Sequence, residues 1–157
     1  MIRLRRLRPQ DADRMLEWMH DPDSVEHMHA PFASMTREDC LGFIASAAQD
    51  TPSVHRAAVD EADRYLGTVS LKNIEPDTRR AEFAIAMHPD TRGTGVSGQA
   101  MQAVLQLGFG ELGLHTIYWC VDAANARARR FYAKQGYATT ADTPDENGLF
   151  WYEITHA

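Results

Sequence analysis

Apolar residues alternate with arginine at the start of the chain, where Ile2 and Leu4 stand against Arg3 and Arg5. That period predicts a half-buried strand over 2–8 with the arginines on its solvent face. From Asp11 the spacing becomes helical, with Ala12, Met15, Leu16 and Met19 on one side. Asp21-Pro22-Asp23 stops that helix, and a short turn covers Ser24 to Met28. Thr36, three residues before Asp39, makes a capping-box start for a helix over 37–49 whose apolar side carries Leu41, Phe43, Ile44 and Ala48. Strands over 54–59, 65–74 and 81–87 are separated by polar turns at Asp60–Asp63 and Glu75–Thr78, the pattern of an antiparallel meander.

The second half repeats the change of period. After the glycine-bearing segment Arg92–Gly98, Met101, Val104, Leu105, Phe109 and Leu112 trace one face of a helix ending near Gly113. A strand over 115–121 follows, then a helix over 125–135 capped by Asn125, then closing strands at 137–140 and 149–155 around a polar loop at 142–148. The order is β-α-α-β-β-β-α-β-α-β-β. It predicts one α/β domain of the α+β type over 1–157, with a mixed, mostly antiparallel sheet of about seven strands flanked by helices.

Composition narrows the class. With 157 residues, 44% hydrophobic and 24% charged, the chain suits a single globular domain. Sixteen Lys and Arg against 22 Asp and Glu give a net charge of −6, which argues against nucleic acid and favours a cationic small molecule. Cys40 and Cys120 lack metal-type spacing and read as reduced thiols, and His27-x-His29 lacks a third ligand, so no metal site is expected. No apolar run approaches the roughly 18 residues of a membrane span, and the opening Met-Ile-Arg-Leu-Arg-Arg-Leu-Arg shows no signal-peptide core. The expectation is a cytoplasmic protein with no membrane partner.

The segment Arg92-Gly-Thr-Gly-Val-Ser-Gly98 lies between a strand and a helix, where free backbone N–H groups and the positive end of the helix dipole attract phosphate. As a bare Gly-x-Gly-x-x-Gly pattern it matches a dinucleotide fingerprint, but antiparallel strands precede it and no βαβ series surrounds it. A P-loop would need Lys-Ser or Lys-Thr after the last glycine, and Gln99-Ala100 stands there. A purely structural glycine turn is the remaining alternative.

Read as Arg92-Gly-Thr-Gly95-Val-Ser97, the loop resembles the Gln/Arg-x-x-Gly-x-Gly/Ala acyl-CoA motif of the GNAT acetyltransferases, with Ser97 as the departure. Asn125-Ala-Arg-Ala-Arg-Arg-Phe-Tyr-Ala-Lys-Gln-Gly-Tyr137 is similar to that family's Asn-x-x-Ala-x-x-x-Tyr-x-x-x-Gly-Phe segment. The strand order matches as well, so the likeness spans nearly the whole chain. It implies acetyl-CoA as acetyl donor and a V-shaped splay between strands 81–87 and 115–121, where the pantetheine arm meets the backbone near Ala86, Met87 and His88. The resemblance places the diphosphate at Arg92, Gly93, Thr94, Gly95, Val96, Ser97 and Gly98, with Lys134 reaching toward the phosphates. Asn125 would contact the pantetheine arm while capping its helix, and Tyr132 would protonate the departing thiolate.

A neutral amine must attack the thioester, so an ammonium substrate needs a base. Glu82 is the candidate, because it shares a strand face with the small residues Ala84 and Ala86; Asp122 and His88 stay in reserve. The resemblance implies an acceptor pocket shaped by the first helices and the closing hairpin, whose aromatic and Met residues Trp18, Met28, Phe32 and Trp151 would form its wall. No cysteine lies in this candidate site, which favours direct attack in a ternary complex. The amino-terminal part is similar to amino-sugar and aminoglycoside N-acetyltransferases, and its layout to ribosomal-protein N-terminal acetyltransferases. The expected substrate is a small-molecule amine such as an amino sugar, with a protein N-terminus and a non-catalytic acyl-CoA sensor as alternatives, and a homodimer left open.

Overall fold

In the computed structural model, which describes residues 1–156, six strands form one sheet in sequential order. They are β1 (Arg3–Arg5), β2 (Val54–Val59), β3 (Tyr65–Glu75), β4 (Arg80–Met87), β5 (Thr116–Asp122) and β6 (Leu149–Thr155). Helices α1 (Ala12–Met19), α2 (Pro22–Val25) and α3 (Arg37–Ala47) precede β2; α4 (Val96–Gln106) links β4 to β5, and α5 (Ala126–Lys134) follows β5. All strand pairs are antiparallel except β4 with β5. The helical crossover α4 is what a parallel pair requires.

The sheet separates two apolar clusters. Helices α4 and α5 cover one face through Met101, Val104, Leu105 and Tyr132, packed on Val69, Leu71, Phe83, Ile117 and Trp119. Helices α1 and α3 cover the other through Met15, Trp18, Met19, Cys40 and Ile44, packed on Ala57, Val59 and Tyr65. The capping box that begins α3 forms as expected: Asp39 N–H donates to Thr36 Oγ1 at 3.2 Å, and Thr36 N–H to Asp39 Oδ2 at 2.8 Å.

Three expectations are corrected. Residues 137–140 are not a strand. The α5 C-terminus closes in a Schellman motif, with Gly136 at φ 92° and Tyr137 N–H donating to Tyr132 O at 3.0 Å, which turns Tyr137 inward against Trp119. A single bond, Thr140 N–H to Trp151 O at 2.8 Å, then ties this stretch to β6. The helix expected to reach Gly113 changes after Gln106 to a π turn over Leu107–Glu111, and Leu112 is exposed. Gly108 is pressed into the core there, since an added Cβ would stand 2.9 Å from Ile117 Cδ1 and Leu71 Cδ1. Arg5 does not face solvent: it is buried and pairs with Asp11 at 2.9 Å and Asp63 at 2.7 Å. The two carboxylates compensate the charge and make the burial tolerable.

Candidate active site

The register of β4 against β5 covers only Arg80 with Thr116, Ala81 with Ile117 and Glu82 with Tyr118. Beyond Glu82, β4 stays paired with β3 as far as Met87, and β5 stays paired with β6 as far as Asp122, while their facing edges separate. Phe83 and Trp119, the first residues past the last pair, meet edge to face at 5.4 Å and floor the apex of this V. The splay expected between these two strands is therefore present, and it leaves backbone N–H and C=O groups of Phe83–Met87 open on one edge.

Where β4 ends, a turn at Pro89–Thr91 leads into Arg92–Gly98. Gly93 and Gly95 have φ of 76° and 82°, values that a side chain disfavours, and a Cβ added at either would find no atom within 4 Å. Gly95 is the N-cap of α4, and no side chain caps it. The first-turn N–H groups of Val96, Ser97 and Gly98 lack carbonyl partners within the helix, although Thr94 Oγ1 stands 3.5 Å from the Val96 nitrogen. Open space above a ring of N–H donors at a helix N-terminus fits a diphosphate. The Arg92 guanidinium is turned aside, donating to Ser24 Oγ at 3.1 Å and Asp21 Oδ2 at 3.4 Å. Asp21 is held below the usual carboxylate range, first by the Ser24 hydroxyl and then by Arg92.

Two further side-chain bridges join α1 to this segment. Arg14 reaches Asp90 at 3.0 Å, and His88 Nε2 lies 3.1 Å from Glu17 Oε2. His88 Nδ1 stands 3.1 Å from the Asp90 nitrogen and 3.0 Å from Asp90 Oδ1, so both ring nitrogens have partners. Arg14 and Glu17 were not singled out by sequence, because helical spacing places them together without saying what they face, and Asp21 was read only as part of the stop that ends the helix.

Asn125 caps α5 as expected, its Oδ1 accepting Ala128 N–H at 3.1 Å. Tyr132 lies inside α5 with its ring 5.2 Å from Trp119 and 5.1 Å from Tyr152. Its hydroxyl makes no hydrogen bond among the described residues, and burial, with Tyr152 and Cys120 nearby, pushes its pKa well above the ordinary tyrosine range. Lys134 is exposed on the same helix.

Across the sheet, Glu82, Tyr118, Cys120 and Trp151 share one face, as the registers Glu82 with Tyr118 and Cys120 with Trp151 require, so the expectation of no cysteine in the site is corrected. Burial and the Glu82 carboxylate push the Cys120 thiol up, away from a nucleophilic thiolate. Asn73 Nδ2 lies 3.4 Å from Glu82 Oε1. Trp151 donates to Asp145 Oδ2 at 2.8 Å, and its ring stands 6.2 Å from Tyr118. Asp122 closes the same face and accepts Ala124 N–H at 2.9 Å. Of the expected acceptor wall, Trp18 is buried, with its N–H donated to Tyr65 Oη at 3.0 Å and Phe32 edge-on at 5.1 Å. Half-buried Met28 packs on that cluster, whereas Trp151 belongs to the β5–β6 side. The alternation of β5 was legible in sequence, so Tyr118 and Cys120 carried a usable signal that no motif marked. Among the described residues no group of three or more His, Cys, Asp or Glu is placed to hold a metal ion, and no helix is long and apolar enough to cross a membrane.

A family model described as an acetyltransferase (GNAT) domain matches residues 2–138. The spermidine N(1)-acetyltransferase of Escherichia coli (strain K12) is 32% identical over 94 residues, 60% of this chain and 50% of that protein. The N-acetyltransferase p20 of Bacillus licheniformis is 25% identical over 127 residues, 79% of this chain and 71% of that protein. The aligned part thus spans about half the length of the spermidine acetyltransferase. In solved structures, spermidine N-acetyltransferase from Vibrio cholerae in complex with CoA and spermine superposes with a TM-score of 0.84 at 22% identity, covering 98% of this chain and 95% of that one. A matched domain over most of the chain, with the splayed β4–β5 pair and the uncapped glycine turn it requires, makes this chain a member of the GNAT acetyltransferase family.

Proposed function

We propose that the protein transfers the acetyl group of acetyl-CoA to a primary amine of a small, multiply charged amine of the polyamine type. The observation that carries the proposal is the β4–β5 register, which stops after Glu82 and leaves an open V leading directly to the Arg92–Gly98 turn. Bound acetyl-CoA supplies an activated acyl group as a thioester. The open edge of β4 near Met87 and His88 would hold the pantetheine arm and direct N–H groups at the thioester oxygen, where negative charge develops. The Gly93–Gly98 N–H groups would hold the diphosphate, with Arg92 released from Asp21 or shared with it, and the free amide of Asn125 would meet the pantetheine arm. Lys134 lies on the outer surface of α5 as a further phosphate contact.

Glu82 would take the proton from the incoming ammonium, directly or through one water. Its place on the face opposite α4 and α5, beside Tyr118 and Cys120, supports that role, and Asp122 on the same face stays in reserve. The committed ring nitrogens of His88 weaken its claim. Tyr132 would give its proton to the departing sulfur, and burial keeps that proton in place until it is needed.

A polycation is supported by Glu82, Asp122 and Asp145 on the Tyr118–Trp151 face, where Arg80 already stands 3.7 Å from Glu153 and 4.9 Å from the centre of the Tyr118 ring, by the net charge of −6, and by relatives named for spermidine. The aromatic surface of Trp151 would also stack on a sugar ring, so an amino sugar or aminoglycoside is the second reading. Saturating acetyl-CoA at about 100 times its dissociation constant should raise the melting temperature by about 5–10 °C, where NAD does not. Mass-spectrometric product analysis with spermidine, an amino sugar and an aminoglycoside in parallel then ranks the acceptors; no acetylated product from any of them would refute the transferase reading.

A further inference from the structure

Trp119 is among the most buried side chains of the molecule, at 2% exposure, and its Nε1 is the one buried side-chain nitrogen or oxygen without a partner among the described residues. Such a donor weakens a fold, and native structures rarely keep one without a use. The other two indoles are spent, Trp18 on Tyr65 and Trp151 on Asp145. The ring of Trp119 is locked from four sides: Tyr152 stacks parallel at 5.2 Å, Tyr132 tilts at 5.2 Å, and Tyr137 and Phe83 meet it edge-on at 5.4 Å. It stands one residue beyond the last β4–β5 pair, at the apex of the V. Its neighbour Tyr132 also makes no side-chain hydrogen bond among the described residues, but its hydroxyl, unlike the indole nitrogen, reaches solvent. Two uncommitted polar groups therefore share one aromatic cluster at the point where the strands part.

We propose that Trp119 is a positioning residue for Tyr132: its ring sets the Tyr132 ring, and its Nε1–H donates to Tyr132 Oη when the apex is filled. This inference rests on the acetyltransferase reading. As the new C–N bond forms and the C–S bond breaks, the Tyr132 proton passes to the sulfur, and Tyr132 is left as a phenolate until solvent returns a proton. The ring of such a phenolate is packed among Phe131, Trp119 and Tyr152, and its oxygen has no partner among the described residues, which leaves it solvent alone. The indole N–H supplies the nearest charge-assisted hydrogen bond without itself losing a proton.

Trp119→Phe keeps a stacked ring and removes the donor. The expected result is a kcat about 10- to 100-fold lower, with the acetyl-CoA KM and the calorimetric Kd for CoA within about twofold and the melting temperature lowered by the cavity the smaller ring leaves, a loss partly offset by removal of the unpaired donor. In a Tyr132→Phe background the same change should leave kcat unaltered. A purely structural tryptophan would cost the same factor in both backgrounds, and that outcome overturns the proposal. If Trp119→Phe does not fold, indole-¹⁵N spectra of the unaltered protein decide: on saturation with CoA, the Trp119 proton should move downfield while the paired indoles of Trp18 and Trp151 shift less, and a stationary Trp119 resonance overturns the proposal. Transfer to amines that Trp119→Phe leaves intact sinks this inference alone. Absence of transfer to any amine sinks the acetyltransferase reading and this inference with it.

Discussion

The molecule holds two buried tryptophan–tyrosine pairs that use the same chemistry in opposite ways. In the α1–β3 core, Trp18 Nε1 donates to Tyr65 Oη at 3.0 Å, and Tyr65 Oη lies 2.7 Å from Thr68 Oγ1, so both polar tips are satisfied. At the apex of the V, Trp119 and Tyr132 touch through their rings; the buried indole N–H has no partner, and the Tyr132 hydroxyl bonds to no side chain or backbone group among the described residues. Burial raises the pKa of both tyrosines. The first pair closes a core; the second keeps two donors in reserve beside an open cleft. Satisfied polar groups add stability, whereas a preorganised unspent donor trades stability for readiness to act.

The largest effect that separates the pairs is on turnover. Tyr132→Phe should lower kcat by about 100-fold, the lower end of what a general acid contributes, while thermal unfolding stays nearly unchanged because no hydrogen bond is lost; steady-state rates and a melting curve on one preparation check both halves. Tyr65→Phe should do the reverse, costing about 1–3 kcal/mol by stranding the Trp18 N–H and the Thr68 hydroxyl. Urea denaturation measures that loss, and kcat of the folded fraction should equal the parent value. If both tyrosines changed stability equally and rate not at all, the contrast would be broken.

A smaller effect sharpens the roles on the two sides of the sheet. Glu82→Gln should lower kcat about tenfold near neutral pH with CoA affinity unchanged, since Glu82 and the cofactor turn lie on different elements. Titration calorimetry with CoA and initial rates across pH test the separation. The smallest effect is on acid stability. Asp63 is held below the usual carboxylate range, chiefly by hydrogen bonding to Arg5 and then by Arg8 and Arg3. A carboxyl depressed on folding adds stability that is full above its unfolded pKa of about 3.9 and is lost as pH falls through the folded value. Asp63→Asn should therefore lower the melting temperature near neutrality and flatten its decline below about pH 4, with no change in kcat; melting curves from pH 2 to 7 follow this.

Much of this architecture was legible in the chain. Period-2 and period-3.6 patterns located β2 to β5 and the helices, because each element must bury one face against the sheet. Turn residues marked their ends, and the capping box at Thr36 and the N-cap at Asn125 formed where side-chain chemistry put them. Arg92–Gly98 and Asn125–Tyr137 identified the family, since close backbone approach to phosphate leaves few residue choices at each position. Local pattern failed where distant partners decided. Residues 137–140 alternate well enough for a strand, but the Gly136 turn sends Tyr137 to Trp119 and away from β6. Arg5 alternates as a surface residue yet is buried, because Asp63, 58 positions away, arrives on a hairpin to neutralise it.

The sequence by itself determined the family, the order of elements and the residue types offered to the chemistry, because periodicity, capping and glycine geometry act within a few residues of the chain. Only the tertiary structure decided which of those residues are free to act. It spent Trp18 on Tyr65, His88 on Glu17 and the Asp90 N–H, and Arg92 on Asp21 and Ser24, while leaving Trp119 and Tyr132 unspent at the point where β4 and β5 part. Hydrogen-bond saturation is a property of neighbours brought together from across the chain, and no local pattern encodes it.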